Sequence, residues 1–536
     1  MTPCACSACG RPCAELLDLL SAGEWRAAER LEAPAAQIKW PSLLLLERRD
    51  ALILARAVSL HPVTATVSIT PSPLTLGEQC RTQVTRLSTQ PVEAGGAEIA
   101  ASHYAYDTRG RINSAALGAG PEARSVWLAY NAQGYVESMT DALSHTTLYG
   151  YDAAGRLSSE TRPDGQRVTY AGNLTSLTPP GQPAHTFTYT PVDLMAQYGP
   201  PDANPGVDTT QYTFSADQQL TLITRPDGQT IAYGYDSAGR LHTETIARGT
   251  LTYGYDPATG NLTSMTAPGG IGLTYGYDGI LLTTEAWSGP VAGTVARSYD
   301  PTFRLSELRI NAIDPVAYSY DPDGLLVGAG ALSLAYDAQN GLLLGSTLDT
   351  VTDTLAYNTF AERVKYRSAT SGAGLYAVDY TRDVLGRITV LTETLGGVTD
   401  TYAYNYDLVG QLLSVTKNGA PETAYTYDSN GNRLTADGPG GTSLGVYDDQ
   451  DRLTQYGSAT YAYNAAGERQ TRTASGQVTT YTYDALGNLM AIGLPGGAQI
   501  TYLVDGQNRR IAKLVNGTRV QAFLYEDNLR IAAELD

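Results

Sequence analysis

The chain has 536 residues, with 37 tyrosines, five phenylalanines and a formal net charge of −18. So negative a chain is a poor candidate for nucleic-acid binding, which needs a basic surface, but the charge favours solubility and would suit a basic cargo. No uncharged apolar run reaches about 18 residues, so no membrane span is predicted. The first residues also lack the basic and apolar regions of a signal peptide.

Residues 1–62 differ in kind from the rest. Mixed three- and four-residue leucine spacing over 15–32 and 43–60 predicts two short amphipathic helices. They are expected to cap or plug one end of a repeat array, or alternatively to form a linker. Four cysteines in C-x-C-x2-C-x3-C spacing are candidate metal ligands: Cys4, Cys6, Cys9 and Cys13. This spacing matches no standard structural zinc pattern. The alternative is a flexible N-terminus with reducible cysteines.

Residues 63–100 alternate polar and apolar side chains without any Tyr-Asp signature. This pattern predicts a β capping segment before the repeats. Cys80 stands alone there and is interpreted as a small apolar residue.

From residue 101 to residue 536 one short unit recurs about every 21 residues. Its clearest copies have the form Tyr-x-Tyr-Asp-x-x-Gly, with small variations. The residues predicted to define the repeat are Tyr151, Asp152, Gly155, Tyr235, Asp236, Gly239, Tyr255, Asp256, Gly260, Tyr427, Asp428, Gly431, Tyr483, Asp484 and Gly487.

Each unit reads as a β-hairpin. Proline fixes φ in Pro163-Asp164-Gly165, and glycine accepts a positive φ, so this segment predicts a tight turn between two strands; 225–228 repeats it. The Tyr-Asp end predicts a second turn, in which the aspartate binds a backbone N–H two residues on. Tyrosines two apart share one strand face, so they are expected to stack across strands.

About 20 such units imply about 40 short strands, and open twisted sheets rarely exceed about 10 strands without curling. We therefore predict an all-β fold, in which a spiral of β-hairpins forms a hollow shell or barrel with a small helical N-terminal segment. A ring of so many strands is too wide for side chains to fill.

No catalytic residue and no cofactor are predicted. The segment 441–445 fits the G-x-S-x-G pattern around Ser443, but no histidine follows it and no helix is suggested there. The Asp-rich segments 321–324 and 428–432 lack the ligand number of a calcium loop, which favours hairpin turns.

The repeated Tyr-Asp units resemble the YD-repeat, or Rhs-repeat, family over residues 104–536. Similar members are bacterial Rhs toxins, the C components of insecticidal toxin complexes and the teneurin shell. The resemblance implies a spiral β-shell, often around a toxin domain. The segments 505–510 and 524–530 look like the part that precedes the family's Rhs core, and that self-cleaving core is expected to follow but is not in this sequence.

These observations favour a non-enzymatic hollow shell that encapsulates or presents a toxin or other polypeptide cargo in a polymorphic-toxin type of system. The partners implied are an enclosed cargo and a second shell or delivery component. The location implied is the exterior or surface of a bacterium, reached by an unidentified route. The alternatives are a teneurin-like adhesion or carbohydrate-binding scaffold, and a toxin-processing enzyme that would need the absent core.

Overall fold

A computed structural model describes residues 66–67, 87–88, 99–171, 174–201 and 209–535. Within these ranges the structure consists of β-strands, turns and one short 3-10 helix, Gly120–Glu122. The all-β prediction is confirmed. The predicted N-terminal helices, the cysteine cluster and Cys80 lie outside the described residues.

The strands are short, and most are separated by turns of a few residues. The first 22 are β1 (Thr66–Val67), β2 (Leu87–Ser88), β3 (Ser102–Tyr106), β4 (Ile112–Leu117), β5 (Arg124–Tyr130), β6 (Val136–Thr140), β7 (Thr146–Tyr151), β8 (Leu157–Thr161), β9 (Arg167–Ala171), β10 (Ser176–Thr178), β11 (His185–Tyr189), β12 (Met195–Gly199), β13 (Thr210–Phe214), β14 (Leu220–Thr224), β15 (Thr230–Tyr235), β16 (Leu241–Ile246), β17 (Gly249–Tyr255), β18 (Leu262–Ala267), β19 (Ile271–Asp278), β20 (Leu281–Ser288), β21 (Gly293–Tyr299) and β22 (Leu305–Ile310). The remaining strands are β23 (Ile313–Tyr320), β24 (Leu326–Ala329), β25 (Leu332–Tyr336), β26 (Leu343–Leu348), β27 (Val351–Tyr357), β28 (Arg363–Thr370), β29 (Ala373–Arg382), β30 (Ile388–Leu395), β31 (Val398–Tyr406), β32 (Leu412–Lys417), β33 (Ala420–Tyr427), β34 (Arg433–Gly438), β35 (Gly441–Tyr447), β36 (Leu453–Tyr456), β37 (Ala459–Tyr463), β38 (Arg469–Ala474), β39 (Gln477–Tyr483), β40 (Leu489–Gly493), β41 (Gln499–Val504), β42 (Arg510–Val515), β43 (Thr518–Tyr525) and β44 (Ile531–Leu535).

The chain forms two compact units, and each is built from two separate segments. Unit 1 contains the described residues up to Gly165 together with Ala335–Ala403, and unit 2 contains Gln166–Leu334 together with Tyr404–Asp536. Inside each segment, strands that follow one another in sequence pair antiparallel, as β3 to β8 do in unit 1 and β14 to β23 in unit 2. Hairpins joined by short turns explain this order, because antiparallel neighbours need no crossover.

A β-bulge marks the second aromatic residue of the unit. Gly234 pairs with Thr243, but Tyr235 pairs with Leu241, so His242 is the extra residue. The same shift occurs at Tyr151 and Tyr255. A bulge increases local right-handed twist, and here it recurs with the repeat.

Unit 2 has the larger apolar core of the two units. Its most buried side chains are Leu251 and Leu273 from the first segment, which belong to one cluster with Ile511 and Leu524 from the second. In unit 1, Val378 is the most buried apolar residue of those described. Among the described residues no helix is both long enough and apolar enough to cross a membrane.

Candidate functional site: Tyr-Asp turns and the seams they form

The Tyr-Asp turn is held by its aspartate. Oδ1 of Asp236 accepts hydrogen bonds from the backbone N–H groups of Ala238 and Arg240, both at 2.9 Å. Oδ2 accepts one from Nε of Arg240 at 2.8 Å. Gly239 has φ +79° and donates its N–H to the Asp236 carbonyl at 3.0 Å. The backbone N–H of Arg240, followed by its guanidinium, lowers the pKa of Asp236.

All five units singled out in the sequence have this turn. In each one, Oδ1 of the aspartate accepts the N–H two residues on and another three or four residues on. The glycines have φ between +78° and +96°, where a side chain would be strained. The residues concerned are Asp152 with Gly155, Asp236 with Gly239, Asp256 with Gly260, Asp428 with Gly431, and Asp484 with Gly487.

The second tyrosine of a unit bonds to the preceding unit. The hydroxyl of Tyr255 donates to the carbonyl of Leu241 at 2.7 Å, and Leu241 is the first strand residue after the previous Tyr-Asp turn. Tyr151, Tyr235 and Tyr427 donate in the same way at 2.7–2.9 Å. For Tyr483 no such bond occurs among the described residues. The hydroxyl therefore joins successive hairpins, which explains why tyrosine rather than phenylalanine recurs.

In some units an arginine lies over the ring of that tyrosine. The guanidinium carbon of Arg240 is 4.5 Å from the ring centroid of Tyr255, and Arg304 is 4.5 Å from that of Tyr320. The same carboxylate that closes the turn holds the guanidinium in place, since Arg304 Nε lies 2.8 Å from Asp300 Oδ2. Carboxylate, guanidinium and ring thus form a chain of contacts from one unit to the next. Sequence reasoning missed it, although an arginine followed by a tyrosine some 15 residues later is a visible signal.

The glycine between the two tyrosines faces a hydroxyl across the sheet. A Cβ at Gly150 would lie 2.5 Å from Ser159 Oγ, and one at Gly234 would come still closer to Thr243 Oγ1. Real Cβ atoms do not approach an oxygen so closely, so a larger residue would force the facing hydroxyl to rotate away. Glycine at this position therefore leaves room for the facing hydroxyl, whereas the units of Tyr427 and Tyr483 carry threonine there.

The two segments of unit 2 meet along a line of turns, which we call the seam of unit 2. On one side lie hairpin tips of the first segment, and on the other lie Tyr-Asp turns of the second. Arg225, in the predicted tight turn at 225–228, donates to Glu468 Oε1 at 2.6 Å and to the carbonyl of Ala485, also at 2.6 Å. Arg248 Nε lies 2.8 Å from Asp484 Oδ2. Each of these contacts joins residues more than 230 positions apart.

The two segments of unit 2 also share a buried cluster of charges, which involves strand residues of the first segment. Nη2 of Arg509 lies 2.6 Å from Glu285 Oε1 and 2.8 Å from Asp505 Oδ2. These three side chains are at most 3% exposed. Trp287 Nε1 donates to Asp505 Oδ2 at 3.2 Å, and Arg297 lies 3.8 Å from Glu285. Burial raises the pKa of Glu285, while the hydrogen bond from Arg509 opposes part of that rise.

Unit 1 has a smaller seam of the same kind. Arg124 follows the turn between β4 and β5, and its Nη2 lies 2.6 Å from Glu362 Oε2. The same guanidinium lies 4.3 Å from the ring centroid of Phe360. Ala100 donates its N–H to the carbonyl of Thr359 at 2.7 Å. Turns about 240 residues apart are therefore joined in this unit as well.

The sequence patterns that could suggest catalysis or metal binding do not form a catalytic or metal site among the described residues. Ser443 lies inside β35, paired with Ala436 of β34, and not at a strand-to-helix turn. Asp321 closes an ordinary turn by accepting the N–H groups of Asp323 and Leu325. Within the described ranges no group of three or more His, Cys, Asp or Glu residues is placed to hold a metal ion. The cysteine candidates Cys4, Cys6, Cys9 and Cys13 stay untested.

These features define a class of protein: a β-hairpin repeat protein whose unit is closed by a Tyr-Asp turn and tied to its neighbour by a tyrosine hydroxyl. The family profile described as Teneurin YD-shell matches residues 82–536. The chain belongs to the YD-shell family, as the resemblance over 104–536 implied.

Curated relatives agree with this assignment. Teneurin-4 of Homo sapiens is 26% identical over 451 residues, which cover 80% of this chain and 15% of that protein. Double-stranded DNA deaminase toxin A of Burkholderia cenocepacia is 25% identical over 488 residues, which cover 76% of this chain and 33% of the toxin. The chain therefore spans a third or less of these relatives.

Among solved structures, the crystal structure of TcdB2-TccC3-TEV superposes with a TM-score of 0.53 at 12% identity. The match covers 80% of this chain and 32% of that one. At such low identity the likeness establishes the fold alone.

Proposed function

We propose that this chain is a non-enzymatic wall that encloses a polypeptide cargo, such as a toxin domain, in a polymorphic-toxin type of system. The observation that carries the proposal is the seam. Hydrogen-bonded ladders tie neighbouring strands together along each segment, and ion pairs that are partly or fully buried tie one segment to the other across the seam. A wall bonded in both directions resists local opening, and a container for an unfolded or harmful polypeptide needs that property.

The relatives are consistent with this proposal. One of them is a toxin, and the chain matches a third of its length, which leaves room in that protein for further domains. We infer by analogy that this chain works with an enclosed cargo, and with a second shell or delivery component. We also infer that it acts outside a bacterial cell or at its surface, by a route still to be identified.

Protection of a cargo from protease tests the proposal. A permanently unfolded, trypsin-sensitive polypeptide is fused after Asp536, and its rate of cleavage is compared with that of the same polypeptide on an unrelated folded domain. We expect cleavage to slow about tenfold or more in the fusion to this chain, because trypsin must wait for the wall to open. Equal rates in the two fusions would overturn the proposal.

An adhesion scaffold is the second candidate, and exposed apolar turn residues favour it. Ile280 is 88% exposed and Phe303 is 73% exposed, both in Tyr-Asp turns of the first segment of unit 2. Exposed side chains of this kind occur at protein interaction sites. If the chain is an adhesion scaffold, replacing both residues with serine should abolish binding to cells or glycans. If the chain encloses a cargo, the same replacement should leave protection of the cargo unchanged.

A further inference from the structure

In several units an arginine of the preceding unit covers the face of the second tyrosine ring. Arg240 lies 4.5 Å above the ring of Tyr255, and its Nε is bound by Asp236 at 2.8 Å. The guanidinium thus sits between a carboxylate and an aromatic face, two groups that both attract a cation.

The unit of Tyr189 is one of several described units that have the ring without the guanidinium. The hydroxyl of Tyr189 donates to the carbonyl of Leu174 at 3.4 Å, as that of Tyr255 does to Leu241. In the sequence Asn173 precedes Leu174, whereas Arg240 precedes Leu241. Among the described residues no guanidinium lies over the ring of Tyr189.

An open groove lies beside this ring. It has a volume of about 700 Å³, within the range of small-ligand sites, and is lined by Thr175, Phe187, Thr188, Tyr189 and Asp193. Asp193 is exposed, and it occupies the glycine position of the turn with φ +60°. Its carboxylate makes no ion pair with any residue that the structure describes. The groove therefore combines an aromatic face with an unpaired carboxylate.

We propose that this groove binds the side chain of an arginine from an extended polypeptide. The guanidinium takes the place over Tyr189 that Arg240 takes over Tyr255, with Asp193 as its counter-ion. The methylene groups pack against Phe187, whose ring lines the groove. The net charge of −18 adds long-range attraction for a basic polypeptide.

The geometry favours arginine over lysine. A guanidinium is planar and weakly hydrated, so it stacks on an aromatic face, whereas an ammonium is compact and strongly hydrated. The inference goes beyond the proposed enclosure and does not depend on it, because it holds whether the polypeptide is a cargo or an external partner.

The test uses the full chain and three labelled peptides that differ only in whether they carry arginine, lysine or neutral citrulline. Fluorescence anisotropy measures their affinities at low and physiological salt. We expect saturable binding of the arginine peptide, about threefold or more tighter than that of the lysine peptide, and none of the citrulline peptide.

Three variants locate the site. Tyr189→Leu removes the ring and Asp193→Asn removes the charge, while asparagine still tolerates a positive φ. Each is expected to weaken arginine binding about 2- to 5-fold. The matched control is Asp217→Asn, which removes an exposed turn carboxylate away from the groove and should leave the affinity unchanged.

Equal binding of the arginine and lysine peptides would overturn the proposal, as would the absence of saturable binding. An equal loss in Asp193→Asn and Asp217→Asn would also overturn it, because binding would then reflect net charge alone. If Tyr189→Leu melts at a much lower temperature than the parent chain, its loss of binding could reflect unfolding. The comparison of Asp193→Asn with Asp217→Asn then tests the proposal.

Discussion

Nη2 of Arg509 lies 2.6 Å from Oε1 of Glu285, and both side chains are almost fully buried although 224 residues separate them in sequence. Asp505 is the second acidic partner of the same guanidinium, at 2.8 Å. A buried ion pair of this kind is a place where removing one partner leaves an uncompensated charge in the interior. The seam of unit 2 is therefore the contact most sensitive to a single substitution.

Arg509→Met is expected to destabilise unit 2 by about 3–5 kcal/mol, because Glu285 and Asp505 would remain buried without a cation. Urea unfolding followed by fluorescence measures the change, since Trp287 donates to Asp505 within the cluster. The matched control is Arg530→Met. Arg530 occupies the same position in the next turn, where Glu526 takes the place of the aspartate, but it is 68% exposed, so little change is expected. Similar losses in both variants would contradict a seam-specific role.

Tyr255→Phe removes the hydroxyl that donates to Leu241 but keeps the ring under Arg240. We expect a loss of about 1 kcal/mol in the free energy of unfolding, which is the usual net value of one hydrogen bond. Faster hydrogen exchange in β16 and β17 should accompany it. Tyr212→Phe is the control, because the Tyr212 hydroxyl makes no such bond among the described residues. If Tyr255→Phe leaves the free energy of unfolding unchanged, the tyrosine hydroxyl does not stabilise the contact between successive units.

The Tyr-Asp turns predict a loss of stability in acid. The pKa values of several turn aspartates are lowered from 3.8, chiefly by backbone N–H groups, and that of Asp527 falls to about 2. Between the folded and the unfolded pKa of these aspartates, the unfolded chain binds more protons than the folded chain. The stabilisation that they contribute is therefore complete above about pH 4 and is lost as the pH falls towards 2. Melting temperatures measured from pH 6 to pH 2 should follow this course.

Asp236→Asn separates titration from turn geometry. Asparagine already fills this position at residue 131, where Asn131 Oδ1 accepts the N–H groups of Gly134 and Tyr135. The variant should therefore fold, with a shallower decline in acid than the parent chain. An identical decline would show that Asp236 does not contribute to the pH dependence.

We also expect the chain to lose folding stability at alkaline pH, because of two tyrosines near Glu244. Burial, with the charge of Glu244 as the next cause, raises the pKa of Tyr233 to about 12 and raises that of Tyr253 as well. The folded chain holds these protons more tightly than the unfolded one, so their contribution is complete below pH 10 and is lost as the pH rises through about 12. Absorbance at alkaline pH should show tyrosines that ionise late, together with unfolding. A single ordinary titration of all tyrosines in the folded chain would contradict this.

Local turn chemistry was predictable from the sequence, and contacts between distant turns were not. The turn at 225–228 is present as predicted, since Gly228 has φ +79° and its N–H donates to the carbonyl of Arg225 at 3.0 Å. Nothing near Arg225 in the sequence indicates that it also reaches Glu468, because that contact depends on how the hairpins of unit 2 are arranged.

The role of the tyrosine rings was only partly predictable. Tyr135 and Tyr151 stack with centroids 4.9 Å apart, but Tyr135 lies in a turn and not on a strand face. The bulge, however, pairs Tyr255 with Leu262 across the strands, and its ring face contacts Arg240. Tyrosine stacking is therefore a lesser feature than the contact between arginine and tyrosine, which alternation along a strand does not reveal.

An enclosing wall requires an empty centre, and single-particle electron microscopy of the full chain tests that requirement most directly. The account predicts a continuous shell of strands around a void large enough to hold a polypeptide. A map with the hairpins packed into separate blades, or into a filled two-layer block, would contradict it.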